Sequence, residues 1–138
     1  MSRFSSFFPD RALPPAEEER VISKRFQGDK GPLRWRARAA TEAQAAAARA
    51  AATTRRQGRN GPVEERDGDA YARELAVRCL VCPDLYDAEL QEAWGVKTPG
   101  DLLGKMLLPG EYAELCRWIA SLCGFDRSDT ELVEDAKN

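Results

Sequence analysis

The stretch from Thr98 to Phe125, TPGDLLGKMLLPGEYAELCRWIASLCGF, leaves this chain little choice of local structure. Thr98 carries a side-chain oxygen that can cap a helix, and Pro99 suits the first helical position, where a missing N–H costs nothing. Asp101 adds negative charge to the first turn, where the helix dipole favours it. Leu102, Leu103, Met106 and Leu107 follow at helical spacing. Pro109 and Gly110 break the run and open a second helix, with Glu111 in its first turn. There Tyr112, Leu115, Cys116, Ile119, Leu122 and Cys123 recur at intervals of three and four, forming one wide apolar stripe. Gly124 stands where a left-handed residue ends a helix, and Phe125 can fold back on the last turn. Two such helices at a corner form the expected core, and none of their residues suggests an active site.

Upstream, residues 19–40 read as a β-hairpin. Its strands are Arg20–Phe26 and Leu33–Ala39, joined by Gln27-Gly28-Asp29-Lys30-Gly31-Pro32. In the second strand Leu33, Trp35, Ala37 and Ala39 alternate with Arg34, Arg36 and Arg38. Thr41 and Gln44 have capping-box spacing before a long alanine series, which predicts a helix over residues 41–57 with Arg55 and Arg56 at its C-terminal end. Residues 58–68 read as a loop. A helix resumes near Asp69, carries Tyr71, Leu75, Cys79 and Cys82 on one stripe, and stops at Pro83. Asp87 caps a short helix bearing Leu90 and Trp94, which Gly95 ends. The expected fold class is α+β and mostly α-helical: an N-terminal β-hairpin packed on a bundle of about four or five helices. The expected division is an N-terminal arm over 1–18, one globular domain over 19–126 and an acidic mobile tail over 127–138.

A chain of 138 residues suits one domain, and no apolar run is long enough to cross a bilayer. Ser, Pro and Asp interrupt Phe4, Phe7 and Phe8, so the N-terminus does not read as a secretory leader, and a cytoplasmic location is expected. Histidine is absent, which excludes Ser–His and Cys–His nucleophiles, histidine bases and histidine-ligated metals. No phosphate-binding glycine loop is present and no carboxylate pair stands out, so no enzyme, cofactor or metal is expected. Cys79 and Cys82 have C-x-x-C spacing without a second such pair, while Cys116 and Cys123 lie two helical turns apart. The four read as small buried hydrophobes in a reducing compartment. Charge is divided: residues 1–62 hold 13 Lys and Arg against 6 Asp and Glu, and residues 63–138 hold 8 against 17. Such a division suits neutralisation within one domain, self-association head to tail, or a partner of complementary charge.

Several segments, taken in order, resemble the XkdN-like (PBSX-type) phage tail assembly chaperones. The resemblance rests on Val21-Ile22-Ser23-Lys24-Arg25-Phe26, on Trp35 among basic residues, and on the helix start at Thr41-Glu42-Ala43. It continues through Pro83-Asp84-Leu85, Asp87-Ala88-Glu89-Leu90-Gln91 and Gly95-Val96. Leu102-Leu103-Gly104-Lys105-Met106-Leu107, Pro109-Gly110-Glu111-Tyr112 and Gly124-Phe125-Asp126 complete it. The resemblance implies a non-enzymatic protein that binds the long tape measure protein, keeps it soluble until the tail tube polymerises around it, and is missing from the finished virion. It supplies no catalytic residue and no residue-level binding motif.

Such a partner calls for a face that takes amphipathic helices loosely. Most of the Thr98–Phe125 stripe is expected in the core, with a subset near Leu102, Met106 and Tyr112 accessible, Met106 lending adaptability. The clustered Phe4, Phe7 and Phe8 form a second candidate contact. Arg34, Arg36 and Arg38 are the candidates for an alternative, a small nucleic-acid-associated regulator, although no aromatic residue is interleaved on that face for base stacking. A structural tail or head-tail component retained in the virion is the other alternative.

Overall fold

The structure, a computed structural model, describes residues 2–125. Thr98 Oγ1 accepts from the Asp101 N–H at 3.1 Å and starts α4 (Pro99–Met106). After Leu107 and Leu108 the chain enters α5 (Pro109–Leu122), and Gly124, at φ +86°, ends it. Leu102, Leu103 and Met106 of α4 are buried together with Leu115, Trp118 and Ile119 of α5. They pack on α2 (Gly68–Cys79), which contributes Leu75, Ala76, Val77 and Cys79. Asp67 Oδ1 caps α2 through the Asp69 and Ala70 N–H groups. Helix α1 (Glu42–Ala51) begins with a complete capping box, Thr41 and Gln44 each bonding the other's backbone N–H. Its buried Ala45 and Ala48 allow close approach to α2. Helix α3 (Ala88–Ala93) is capped by Asp87 Oδ1 on the Leu90 N–H at 2.8 Å.

The class is α+β, but the expected bundle with one N-terminal hairpin is not what the chain builds. Seven strands in three antiparallel sheets accompany the helices among the described residues. Strand β1 (Glu17–Arg20) pairs with β4 (Trp35–Arg38), Glu17 opposite Arg38 and Arg20 opposite Trp35. Strand β7 (Leu80–Cys82) pairs on the other side of β4. Trp35 and Ala37 point into the core, and Arg36 and Arg38 point out.

First, the strand expected over Arg20–Phe26 lies earlier, because Ile22 and Ser23 are both buried, which a period of two forbids. The chain turns there: Arg25 N–H donates to Ser23 Oγ at 3.3 Å, and the Phe26 ring packs 6.4 Å from Trp35 and 6.2 Å from Trp94. Only a two-rung ladder, β2 (Gln27–Gly28) with β3 (Gly31–Pro32), continues toward the tip. Second, the helix expected over residues 41–57 ends at Ala51. Strands β5 (Thr53–Gly58) and β6 (Gly61–Arg66) then form a second hairpin across the expected loop. Thr53 Oγ1 donates to the Arg49 carbonyl at 2.7 Å, closing the helix end as the β-branched pair Thr53-Thr54 starts the strand. Third, the stripe assigned to one helix through Cys82 ends at Cys79, and Leu80–Cys82 are extended as β7.

Candidate partner-binding surface

The arm phenyls are the most exposed of the expected contact residues. Ser5–Phe7 form one 3-10 turn, held by the Phe7 N–H to the Phe4 carbonyl at 2.9 Å. Phe4, Phe7 and Phe8 are 60%, 82% and 46% exposed, and Leu13, unremarked in the sequence, is 91% exposed. Arg3 lies 5.7 Å over the Phe4 ring, whose centroid is 6.4 Å from that of Phe7. No residue from 2 to 16 is buried. A run of exposed aromatic side chains with polar neighbours is the composition of a contact surface.

The α4–α5 corner behaves differently. Leu102 is 0% exposed and Met106 4%, so the accessibility expected of these two is corrected: α4 packs on α2 and its stripe joins the shared core. Tyr112 is half-buried beside them, its ring 5.7 Å below the Arg73 guanidinium, and its hydroxyl has no hydrogen-bond partner among the described residues. The structure thus gathers Leu102, Met106 and Tyr112 at one place and leaves the arm phenyls outside the core they share. Next to this place runs a shallow open groove between α2, α3 and α4, lined by Arg73, Glu74, Tyr86, Val96, Asp101 and Lys105. Tyr86 is an exposed aromatic on its wall; a lone Tyr between Leu85 and Asp87 sends no periodic signal.

The corner is clamped to the turn before β2. Glu111 Oε1 accepts from the Leu108 N–H at 2.8 Å and lies 3.6 Å from the Arg25 guanidinium, which also donates to the Met106 carbonyl at 3.0 Å. The Ser23 hydroxyl, the Leu108 N–H and Arg25 hold the Glu111 carboxyl below its usual range. Here Val21–Phe26 meets the distant α4–α5 corner through the Arg25 hydrogen bond to Met106 and the Arg25–Glu111 ion pair.

The arginine row is largely occupied. Arg36 Nε and Arg38 Nη2 reach Glu17 at 3.1 and 3.0 Å, while Arg34 is exposed just before β4. Glu18 Oε1 accepts from Trp118 Nε1 at 3.0 Å, and Arg20 lies 5.6 Å over that indole, so β1 is stitched to α5 as well. The expectation of four buried cysteines is corrected: only Cys79 is buried, Cys82 is exposed because β7 carries it outward, and Cys116 is half-buried, its thiol pushed up by burial. Cys79 and Cys123 face each other.

The described residues thus form an α+β core with exposed aromatic side chains at Phe4, Phe7 and Phe8. A family model described as phage XkdN-like tail assembly chaperone protein matches residues 4–137, and the chain belongs to that family. It is similar to the uncharacterized protein YqbN of Bacillus subtilis (strain 168), at 30% identity over 138 residues, covering 97% of this chain and 92% of the relative. It is also similar to the phage-like element PBSX protein XkdN of the same strain, at 27% identity over 143 residues, covering 97% and 93%. The crystal structure of YqbN superimposes with a TM-score of 0.76 at 26% identity, covering 91% of this chain and 99% of that one. The role is therefore in phage tail assembly, which is non-catalytic and has a phage tail protein as the class of partner. Among the described residues no helix is long and apolar enough to cross a membrane.

Proposed function

We propose that this protein binds the tape measure protein during tail morphogenesis and keeps that long chain from self-association until the tail tube forms around it. It does so in the host cytoplasm and leaves before the virion is complete. Membership of the tail assembly chaperone family supports the setting. The observation that carries the reading is the arm: Phe4, Phe7, Phe8 and Leu13 are exposed and none joins the core. Large apolar side chains held in water are stabilised once a partner's apolar stripe covers them, at about 25 cal/mol for each Å² buried. Tyr112 and the neighbouring groove offer a second, more polar contact for a helix that carries both kinds of side chain.

The test is co-expression of the tagged protein with the tape measure protein of the same phage. The long chain is expected in the supernatant and in the eluate, and Phe4→Ser, Phe7→Ser and Phe8→Ser together are expected to return it to the pellet. A long chain that stays insoluble and unbound beside the unaltered protein overturns the reading. Purified virions containing this protein would overturn its release and make it a structural component.

A further inference from the structure

Cys79 and Cys123 stand far apart in sequence, yet their sulfurs lie 3.7 Å apart. Cys79 closes α2 and is fully buried; Cys123 follows α5 and is half-buried. Cys123 Sγ also accepts from the Ala40 N–H at 3.5 Å, which holds it at the start of α1. A small depression bounded by Thr41, Glu42, Leu75 and Phe125 opens onto Cys123 from solvent. The C-x-x-C spacing is therefore not the operative one: Cys82, three residues after Cys79, is exposed on β7, and the partner of Cys79 comes from another helix.

We propose that Cys79 and Cys123 are an oxidative modification site that closes to an intramolecular disulfide by exchange with a small-molecule disulfide such as glutathione disulfide, bolting the end of α5 to α2. A disulfide bond is about 2.05 Å long, so closure requires the sulfurs to approach by about 1.7 Å. Cys123 meets the oxidant first, because the depression exposes it and not Cys79. Its thiolate attacks one sulfur of glutathione disulfide, forming a mixed disulfide and expelling one glutathione thiolate. The Cys79 thiolate then attacks Cys123 Sγ, forming the Cys79–Cys123 bond and expelling the second glutathione. The protein loses two electrons and two protons, and the small disulfide is reduced to two thiols.

The second step is slow near neutral pH. Burial, reinforced by the neighbouring Cys123, pushes the Cys79 thiol up to about 12. Cys123 is the titratable group facing it, and Glu42 at the depression is bridged to Arg49. Closure therefore accelerates as pH rises, and the reduced pair persists where glutathione is mostly reduced.

The experiment uses the reduced full chain, glutathione disulfide as the probe, and denaturing alkylation followed by intact mass and peptide mapping. The expected product is lighter by two hydrogens, escapes alkylation at Cys79 and Cys123, and yields their linked peptides. Closing this long loop raises the melting temperature by about 10 °C, and dithiothreitol reverses the gain. Closure is expected to be faster at about pH 9 than at about pH 7. It persists in Cys82→Ser and disappears in Cys123→Ser. Glutathione adducts or Cys82-linked dimers alone, with Cys79 and Cys123 both alkylated after denaturation, overturn the proposal. Continued closure in Cys123→Ser overturns it too. The result is independent of what the arm binds.

Discussion

At the scale of single residues, Glu111 shows how one side chain ties distant segments together. It caps α5 through Leu108, neighbours Arg25, and is held below its usual range first by the Ser23 hydroxyl. The ionised form is thus favoured by the folded state. Its contribution is complete above the unfolded carboxylate pKa and is lost as pH falls through the lower, folded value. Glu111→Gln is expected to unfold at lower denaturant than the parent, by a gap that stays constant from about pH 8 to about pH 5 and narrows below about pH 4. Denaturant titrations across that range check it; a gap that widens in acid would contradict the assignment. Trp118 is a second such residue, fully buried with its indole N–H on Glu18. Trp118→Phe keeps most of the apolar volume but orphans the Glu18 contact, and an equilibrium unfolding curve is expected to register a loss of about 1–2 kcal/mol.

At the scale of elements, legibility follows burial. The α4–α5 pair was readable because each helix buries a stripe, and burial imposes a period on the sequence. The β5–β6 hairpin buries none of its side chains, so no period announces it, and the alanine series pulled the predicted helix through Thr53–Gln57. What could have revealed it is turn chemistry: Gln57-Gly58-Arg59-Asn60-Gly61-Pro62 repeats Gln27-Gly28-Asp29-Lys30-Gly31-Pro32 in four of six residues. Both tips fold alike, Gly31 at φ +113° and Gly61 at +116°, with Gln opposite Pro in each ladder. A side chain at Gly58 would bring Cβ within 2.5 Å of Val63 Cγ2. Lacking a core, the ribbon is held by its ladder and by Arg55–Glu64 and Arg56–Glu65 at 2.8 and 2.7 Å, exposed pairs worth about 0.2–1 kcal/mol each. Replacing residues 55–64 by a two-residue Asn-Gly turn is therefore expected to change global stability by no more than about 1 kcal/mol, read from the denaturant midpoint. Glu17–Glu19 read as residues able to pair with the arginine row, as Glu17 does with Arg36 and Arg38, but not as the strand itself, because charged residues on an exposed edge carry no strand signature.

At the scale of the whole molecule, the core and the candidate contact surface are separate bodies of side chains. The core runs from Ile22 and Trp35 through α1 and α2 to Leu115, Trp118 and Ile119, and takes nothing from residues 2–16 or 53–66. This separation was only half legible. Clustering marked Phe4, Phe7 and Phe8, whereas the α4 stripe reads the same whether a partner or the protein's own core covers it, and Leu102 and Met106 belong to the core. The expected acidic tail, residues 127–138, lies outside the described residues. Stability and partner retention should accordingly respond to different substitutions. Phe4→Ser, Phe7→Ser and Phe8→Ser together remove exposed apolar surface, so the melting temperature is expected to stay within about 2 °C while the tape measure protein is lost from the eluate. Leu115→Ala instead opens a cavity in the core, lowers stability by about 2–5 kcal/mol, and weakens retention only through the fraction unfolded, so that cooling or mild osmolyte restores binding. Melting curves and co-elution measured on the same preparations separate the two. Arm variants that melt early, or a Leu115→Ala protein that stays folded yet fails to bind, would show that contact surface and core are one.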